Sequence, residues 1–373
     1  MEMTIFYLHR LDLTFTSAQT LQVIKDYAYL SQYGYKIHIF GTYNSIDSLN
    51  EIKSFLKNFP SVKLHAKKKH QFSSLKIWQK FIKELLSCSN KKLLITRHYK
   101  KLKNAILIKK FMDNTHIIHE MHEESFVYQF KNISKEKFLK TINKSDIIIF
   151  TNPSQLIYFK QEFGDYPKFK YIILPNGVEF ERFQIAKMKQ NYIITYTGQF
   201  NKWKNTELIF ATLSLLPKNF TLRIAGGKND INSNEYIKNM MQSYNLQGRV
   251  DYKGFIHNNE IPNNVLNGSH ILFLPLGDNI QSKYLTSPMK LFEYISTKIP
   301  VLAVNHPTIN SIVTEQEIFL CNNNPEDCAN TILRITTIQK EYLNKKILNM
   351  NLVAKQYSYK NRSKTFNDAL KIL

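Results

Sequence analysis

Short apolar runs alternate with stretches whose apolar residues recur at helical spacing along nearly the whole chain. MTIFYL reads as a strand, followed by a loop with Asp12 and a helix capped by Thr16-Ser17 that runs to about Tyr33 and stops at Gly34. YKIHIF, VKLH, KLLIT, THIIHE, DIIIF and KYIIL read as further strands, with helices near 47–59, 73–87, 100–111, 134–143 and from Pro153. Pro175-Asn176-Gly177-Val178 then marks a turn, and the pattern restarts. NYIITYTG and FTLRIAGG are strands that end in glycine; RVDYKGF, HILFLPL and VLAV follow, with helices at NTELIFATLSLL, NEYIKNMMQSY and NEIPNNVLN. The tail, YSYKNRSKTFNDALKIL, is a closing helix. Such repetition predicts an α/β chain of two Rossmann-like βαβ domains, each binding ligands at the carboxyl ends of its strands. The expected division is 1–177, 178–355 and a closing helix at 356–373.

The stretch SPMKLFEYISTKIP, from Ser287 to Pro300, carries the most chemistry. Ser287 reads as a helix cap and Pro288 as the first helical residue, where its missing N–H costs nothing. The free amides of that first turn, at Met289 and Lys290, favour an anion. Glu293 lies too far along to cap the turn, and it is placed to accept hydrogen bonds from a sugar diol. The plainer reading is an ordinary helix-to-strand connection with a surface glutamate.

Charge adds a second feature. The net charge is +22, and residues 51–110 hold 17 Lys/Arg against only Glu51 and Glu84, a net +15. Within it, SSLKIWQKFIKELL places Leu75, Trp78, Phe81, Ile82 and Leu85 at helical spacing among lysines. A basic amphipathic helix with a tryptophan suits an anionic membrane surface; the alternative is a core helix with a solvated lysine face. Nucleic acid is set aside, because no helix-turn-helix spacing, zinc-ligand spacing or aromatic RNA-binding signature is present. Cys88, Cys321 and Cys328 have no metal-ligand spacing and suggest a reducing compartment. No signal-peptide pattern or membrane-spanning run is found. The expected location is therefore cytoplasmic, peripheral on the inner face of the cell membrane.

Several pieces in order now resemble the retaining glycosyltransferases of the GT-B fold, family four. They are Leu174-Pro175-Asn176-Gly177-Val178; the strand end Gly198 with Lys204 six residues on; Ile224-Ala225-Gly226-Gly227; Gly254-Phe255 after a strand; and SPMKLFEYIS before Pro300. Gln199 stands where the family has an arginine, and Leu285 where many members carry a first glutamate. In the first half, His122 in IIHEMHEESF matches a histidine that faces the donor sugar, with Glu120 two before it; the plainer reading is a surface histidine. His119 reads as packing. The loop with Thr16 and Ser17 has no glycine, yet a hydroxyl-capped helix start there can present amides to a diphosphate.

The resemblance implies two domains facing each other across a cleft, with the C-terminal helix crossing back to the N-terminal domain. It implies a retaining, metal-independent hexosyltransferase that uses a nucleotide-diphosphate sugar such as a UDP- or GDP-sugar, with no cofactor. The implied catalytic residues are His122, Lys204 and Glu293. The implied donor-binding residues are Thr16, Ser17, Gly198, Gln199, Lys204, Gly226, Phe255, Ser287, Pro288, Met289, Lys290 and Glu293. The basic segment 51–110 then points to a glycan, lipid-linked or polyanionic acceptor at the membrane. A catalytically weak partner subunit of the same fold, or a sugar-nucleotide epimerase, are the alternative readings.

Overall fold

The computed structural model describes residues 3–14, 17–122, 126, 133–164, 169–185, 192–227 and 230–373. In chain order the elements are β1 (Met3–Asp12), α1 (Ala18–Ser31), β2 (Lys36–Tyr43), α2 (Ile46–Leu56), β3 (Val62–Lys68), α3 (Ser73–Leu86), β4 (Lys91–Thr96), α4 (Tyr99–Phe111), β5 (Thr115–Met121), α5 (Lys135–Ile142), β6 (Ile147–Phe150), α6 (Pro153–Phe163) and β7 (Tyr171–Ile173). There follow β8 (Ile193–Gly198), α7 (Glu207–Leu215), β9 (Thr221–Gly226), α8 (Ile231–Ser243), β10 (Val250–Tyr252), β11 (Ile271–Leu274), α9 (Met289–Ile295), β12 (Val301–Val304), α10 (Pro307–Asn310), β13 (Phe319–Cys321), α11 (Pro325–Thr337), α12 (Lys340–Gln356) and α13 (Tyr359–Leu370).

The chain forms two compact units, Met1–Pro175 with Tyr359–Leu373, and Asn176–Ser358. Each is built on one parallel sheet, with strand order β3-β2-β1-β4-β5-β6-β7 in the first and β10-β9-β8-β11-β12-β13 in the second. Both orders reverse direction once, between β1 and β4 and between β8 and β11. At such a point the connecting loops diverge and leave a crevice at the carboxyl ends of the strands.

The strands read as unbroken apolar runs because both faces are covered. In the second unit, Ile194, Ile224, Phe273 and Leu302 pack on one side of the sheet, with Phe210, Leu213 and Ile332. Ala225, Leu272, Leu274 and Val301 pack on the other, with Leu291, Phe292 and Ile295 of α9. In the first unit the core gathers Ile5, Ile37, Leu93, Ile118 and Ile147, and α13 adds Phe366 and Leu370. Buried polar contacts fix that last helix. Arg362 Nη1 lies 2.9 Å from Asp26 Oδ1 on α1, its Nε donates to Pro175 O at 2.8 Å, and the Tyr359 ring stacks on Tyr29.

Two local expectations need correction. Pro288 is the cap of α9, and helix starts at Met289. The hydroxyl of Ser287 accepts instead from the amide of Asn176, at 3.1 Å, so it is not free to cap. NEIPNNVLN makes a single wide turn over Pro262–Leu266, closed by Asn267 N donating to Pro262 O at 2.9 Å, rather than an α-helix. On α3, Phe81 and Leu85 of the apolar stripe are buried with Ile77 against β2 and β3, while Leu75 is exposed and Trp78 and Ile82 are half-buried. The Trp78 ring is tilted against Phe81 with centroids 4.9 Å apart, and the Lys101 ammonium lies over it.

Candidate functional site

The second unit brings the residues of its site together around the β8/β11 reversal. β8 and β9 run in register to Gly198 and Gly226. A Cβ on Gly226 would stand 1.9 Å from Gly198 O, so only glycine lets these two strand ends close up. Gly226 N donates to Gly254 O at 2.8 Å, which aligns the end of β10 and the following Phe255 with them. The result is a shelf of bare backbone at three strand ends.

Lys204 is placed over this shelf. It ends a 3-10 turn, Lys202–Lys204, and Asn205 turns the chain away in the left-handed conformation, φ 49°. Its Nζ lies 3.7 Å from where a Cβ on Gly198 would stand. The turn is fastened across the reversal by one carbonyl. Trp203 O accepts from Gly277 N at 2.9 Å and from Ser282 Oγ at 2.7 Å, both in the chain after β11. The Trp203 ring lies under the Lys204 ammonium, 5.3 Å from its centroid.

The start of α9 meets the same place. Tyr294, fully buried, accepts from Thr197 N at 2.8 Å and lies 3.1 Å from Thr197 Oγ1, which locks α9 to the last residues of β8. Leu291 N donates to Pro288 O at 2.9 Å, and the amides of Met289 and Lys290 precede that bond in the turn. Glu293 is 4% exposed. Its Oε2 pairs with Lys290 Nζ at 2.6 Å, and its Oε1 accepts from Asn258 Nδ2 at 3.4 Å. Asn258 is held in turn by Arg182, whose Nη2 donates to its Oδ1 at 2.6 Å.

Burial and then Lys290 push the Lys204 ammonium down, Glu293 opposes them, and the net is about 8. Two ammonium groups and one carboxylate therefore share a half-buried place beside open helix amides, which is a setting for an anion. Gln199 does not join them. Its side chain is exposed and its Oε1 accepts from Asn201 Nδ2 at 3.3 Å. Asn176 Nδ2 also donates to Ser287 O at 2.5 Å, so the proline-asparagine-glycine turn braces the start of α9.

In the first unit, His122 follows β5 directly. It is covered, and its Nε2 lies 3.7 Å from Glu120 Oε2, so it is not a surface histidine. Burial lowers it to about 4, with Arg97 adding to the effect and Glu120 opposing it, so the imidazole is neutral at pH 7. Burial raises the Glu120 carboxyl, but His122, Arg362 and Arg97 outweigh that and hold it below its ordinary value. His119 is fully buried against Thr96 Oγ1, at 2.8 Å. Ser17 caps α1, accepting from Thr20 N at 3.4 Å; Thr16 lies outside the described residues. The His9 and His98 rings meet at a tilt at the β1/β4 reversal, with centroids 4.3 Å apart. Sequence reasoning passed over both, along with Arg97, Trp203 and Tyr294.

Residues 177–349 match the family model described as "Glycosyl transferases group 1". The second half of the chain thus carries a glycosyltransferase domain. No curated protein matches the chain by sequence. Among solved structures, the Anabaena protein HepE in complex with UDP and glucose is similar over 100% of both chains, at 13% identity and a TM-score of 0.74. Sucrose-phosphate synthase from Thermosynechococcus elongatus is similar over 100% of this chain and 98% of its own, at 14% identity and a TM-score of 0.75. A glycosyltransferase from Rickettsia africae ESF-5 is similar over 99% of this chain and 98% of its own, at 16% identity and a TM-score of 0.71. The fold is that of the GT-B glycosyltransferases.

Replacing Tyr294 by phenylalanine removes the hydroxyl and leaves the Thr197 amide and hydroxyl buried without it. The expected cost is about 1–3 kcal/mol of stability, read as a lowered denaturation midpoint. An unchanged midpoint would show that α9 does not depend on this contact.

Proposed function

We propose that the chain is a retaining hexosyltransferase. It moves a sugar from a nucleotide-diphosphate donor, such as a UDP- or GDP-sugar, to a glycan, lipid-linked or polyanionic cell-envelope acceptor at a membrane surface. The observation that carries this reading is the half-buried Lys204 set between a glycine shelf and the amides that open α9. The matched glycosyltransferase domain and the UDP and glucose bound by HepE support it.

In this reading the donor's diphosphate lies between Lys204 and the amides of Met289 and Lys290, which stabilise the charge it gains on leaving. Glu293 takes the ribose hydroxyls through the lone pairs that Lys290 and Asn258 leave open. Phe255 and Gly226 border the nucleoside, and Gly198 lets the phosphates approach the backbone. The bond from the anomeric carbon to the phosphate oxygen breaks, and the bond to the acceptor oxygen forms on the same face. The acceptor's proton passes to the departing phosphate, so no separate strong base is needed. His122, neutral, offers a ring N–H or lone pair to the donor sugar rather than a positive charge. No metal and no cofactor take part; two lysines supply the cationic environment.

Membrane contact rests on the exposed surface of the basic segment. Lys67, Lys68, Lys69, Lys76 and Lys83 are exposed, and so are Phe72, Leu75 and Leu86 beside them. Among the described residues no helix is long and apolar enough to cross a membrane. Each lysine near an anionic surface contributes about 1 kcal/mol.

Two experiments test the reading. The Lys204 ammonium is at about 8 without ligand, and a bound diphosphate raises it. Binding of UDP at pH 8 should therefore take up protons, seen by calorimetry in buffers of different ionisation enthalpy. Affinity should fall as the pH rises above that value, and Lys204→Met should lose both the proton uptake and slow hydrolysis of the donor sugar. UDP binding with no proton uptake, or hydrolysis intact in the variant, contradicts the assignment. Changing Lys67, Lys68, Lys69, Lys76 and Lys83 to glutamate should abolish binding to anionic liposomes while leaving donor hydrolysis intact. Unchanged liposome binding would reject the membrane face.

A further inference from the structure

A cluster in the first unit, made of residues given no part in the transfer step above, has the composition of a metal centre. His38 lies on β2, His65 on β3 and Glu84 in the last turn of α3. In the parallel register Phe40 pairs with His65, and His38 pairs with Lys63. Both histidines thus project from the same face of the sheet, the one α3 covers. His65 Nε2 lies 3.2 Å from His38 Nδ1, and His38 Nδ1 lies 3.6 Å from Glu84 Oε2. All three ligand atoms fall within 4.8 Å of one another.

Zinc takes nitrogen at about 2.0–2.1 Å and carboxylate oxygen at about 2.0–2.2 Å, so neighbouring ligand atoms on a tetrahedral ion stand about 3.3 Å apart. Two edges of the triangle already have that length to within about 0.3 Å. We propose that His38, His65 and Glu84 form a structural zinc site that pins α3 to the two outer strands of the first sheet, with water as the fourth ligand.

The surroundings suit this role. The Phe40 ring stacks on His65 with centroids 4.7 Å apart, and the Phe6 ring leans on His38 at 4.8 Å. Phe81 of α3 meets both phenylalanines edge-on. These rings fix the imidazoles in orientation and leave the Glu84 side open to the water ligand. Burial lowers both histidines, His38 to about 4, so their lone pairs are open at neutral pH. Lys80, 2.6 Å from Glu84 Oε1, keeps the carboxylate ionised. Two imidazoles and one carboxylate favour zinc over magnesium or calcium, which take oxygen. Without metal the two imidazoles share a hydrogen bond, so the apo site keeps nearly the same geometry.

The test uses the full chain, stripped with a chelator and titrated with zinc chloride and, separately, with cobalt chloride. Expected are one zinc per chain, a rise in melting temperature, and the intense visible absorption of four-coordinate cobalt(II). His65→Ala and Glu84→Gln should each weaken zinc binding at least tenfold while leaving the stabilisation by UDP unchanged, which shows that the variants are folded. Absence of the cobalt bands in the wild-type chain overturns the proposal. So does zinc binding of undiminished strength in both variants, which would place the ion elsewhere. Because neither variant touches the donor site, a negative result here leaves the glycosyltransferase reading standing.

Discussion

An ammonium group held half out of water next to a second ammonium is the constraint on which the second unit turns. Burial and Lys290, against the opposing pull of Glu293, bring Lys204 from 10.5 to about 8. Keeping it charged at neutral pH therefore costs roughly 3 kcal/mol relative to water. That cost remains after Glu293 has acted, since its Oε2 is already shared with Lys290. A doubly charged diphosphate arriving between the lysines removes the repulsion and restores the lost solvation. The free protein bears the cost, and ligand binding recovers it.

The rest of the unit keeps those groups from relaxing apart. Trp203 O collects donors from the chain after β11 and so fixes the turn that ends in Lys204. The hydroxyl of Tyr294 ties α9 to Thr197 at the end of β8. Asn176 holds Ser287 at the other side of the helix start. All of these contacts surround the β8/β11 reversal, where strand order alone opens a crevice. The first unit repeats the arrangement at its own reversal, with His9 tilted against His98 there and His122 at the end of the next strand.

Much of this was legible in the sequence, for identifiable reasons. Doubly covered parallel strands leave long apolar runs, and helices between them leave a 3.6-residue period, so two βαβ repeats separated at Pro175-Asn176-Gly177 could be read directly. Glu293 and Lys290 were visible because spacing on one helix fixes their relation. What depends on tertiary pairing was not visible. Ser287 looks like a cap until Asn176 takes its hydroxyl. Nothing in the spacing shows that Trp78 lies beside Phe81 or that the Lys101 ammonium sits over its ring. Tyr294 carries a polar tip on an apolar face, a signal that went unused. His38, His65 and Glu84 come from three elements with no motif spacing, and only the strand register brings them together.

The central claim is that Lys204 and the opening amides of α9 grip the same diphosphate. A crystal structure of the chain with UDP bound tests it most directly. The account requires phosphate oxygens within hydrogen-bond distance of Lys204 Nζ and of the Met289 and Lys290 amides, with a ribose hydroxyl on Glu293. A diphosphate seated elsewhere, with Lys204 still turned to the Trp203 ring and Glu293 still closed on Lys290, would contradict it.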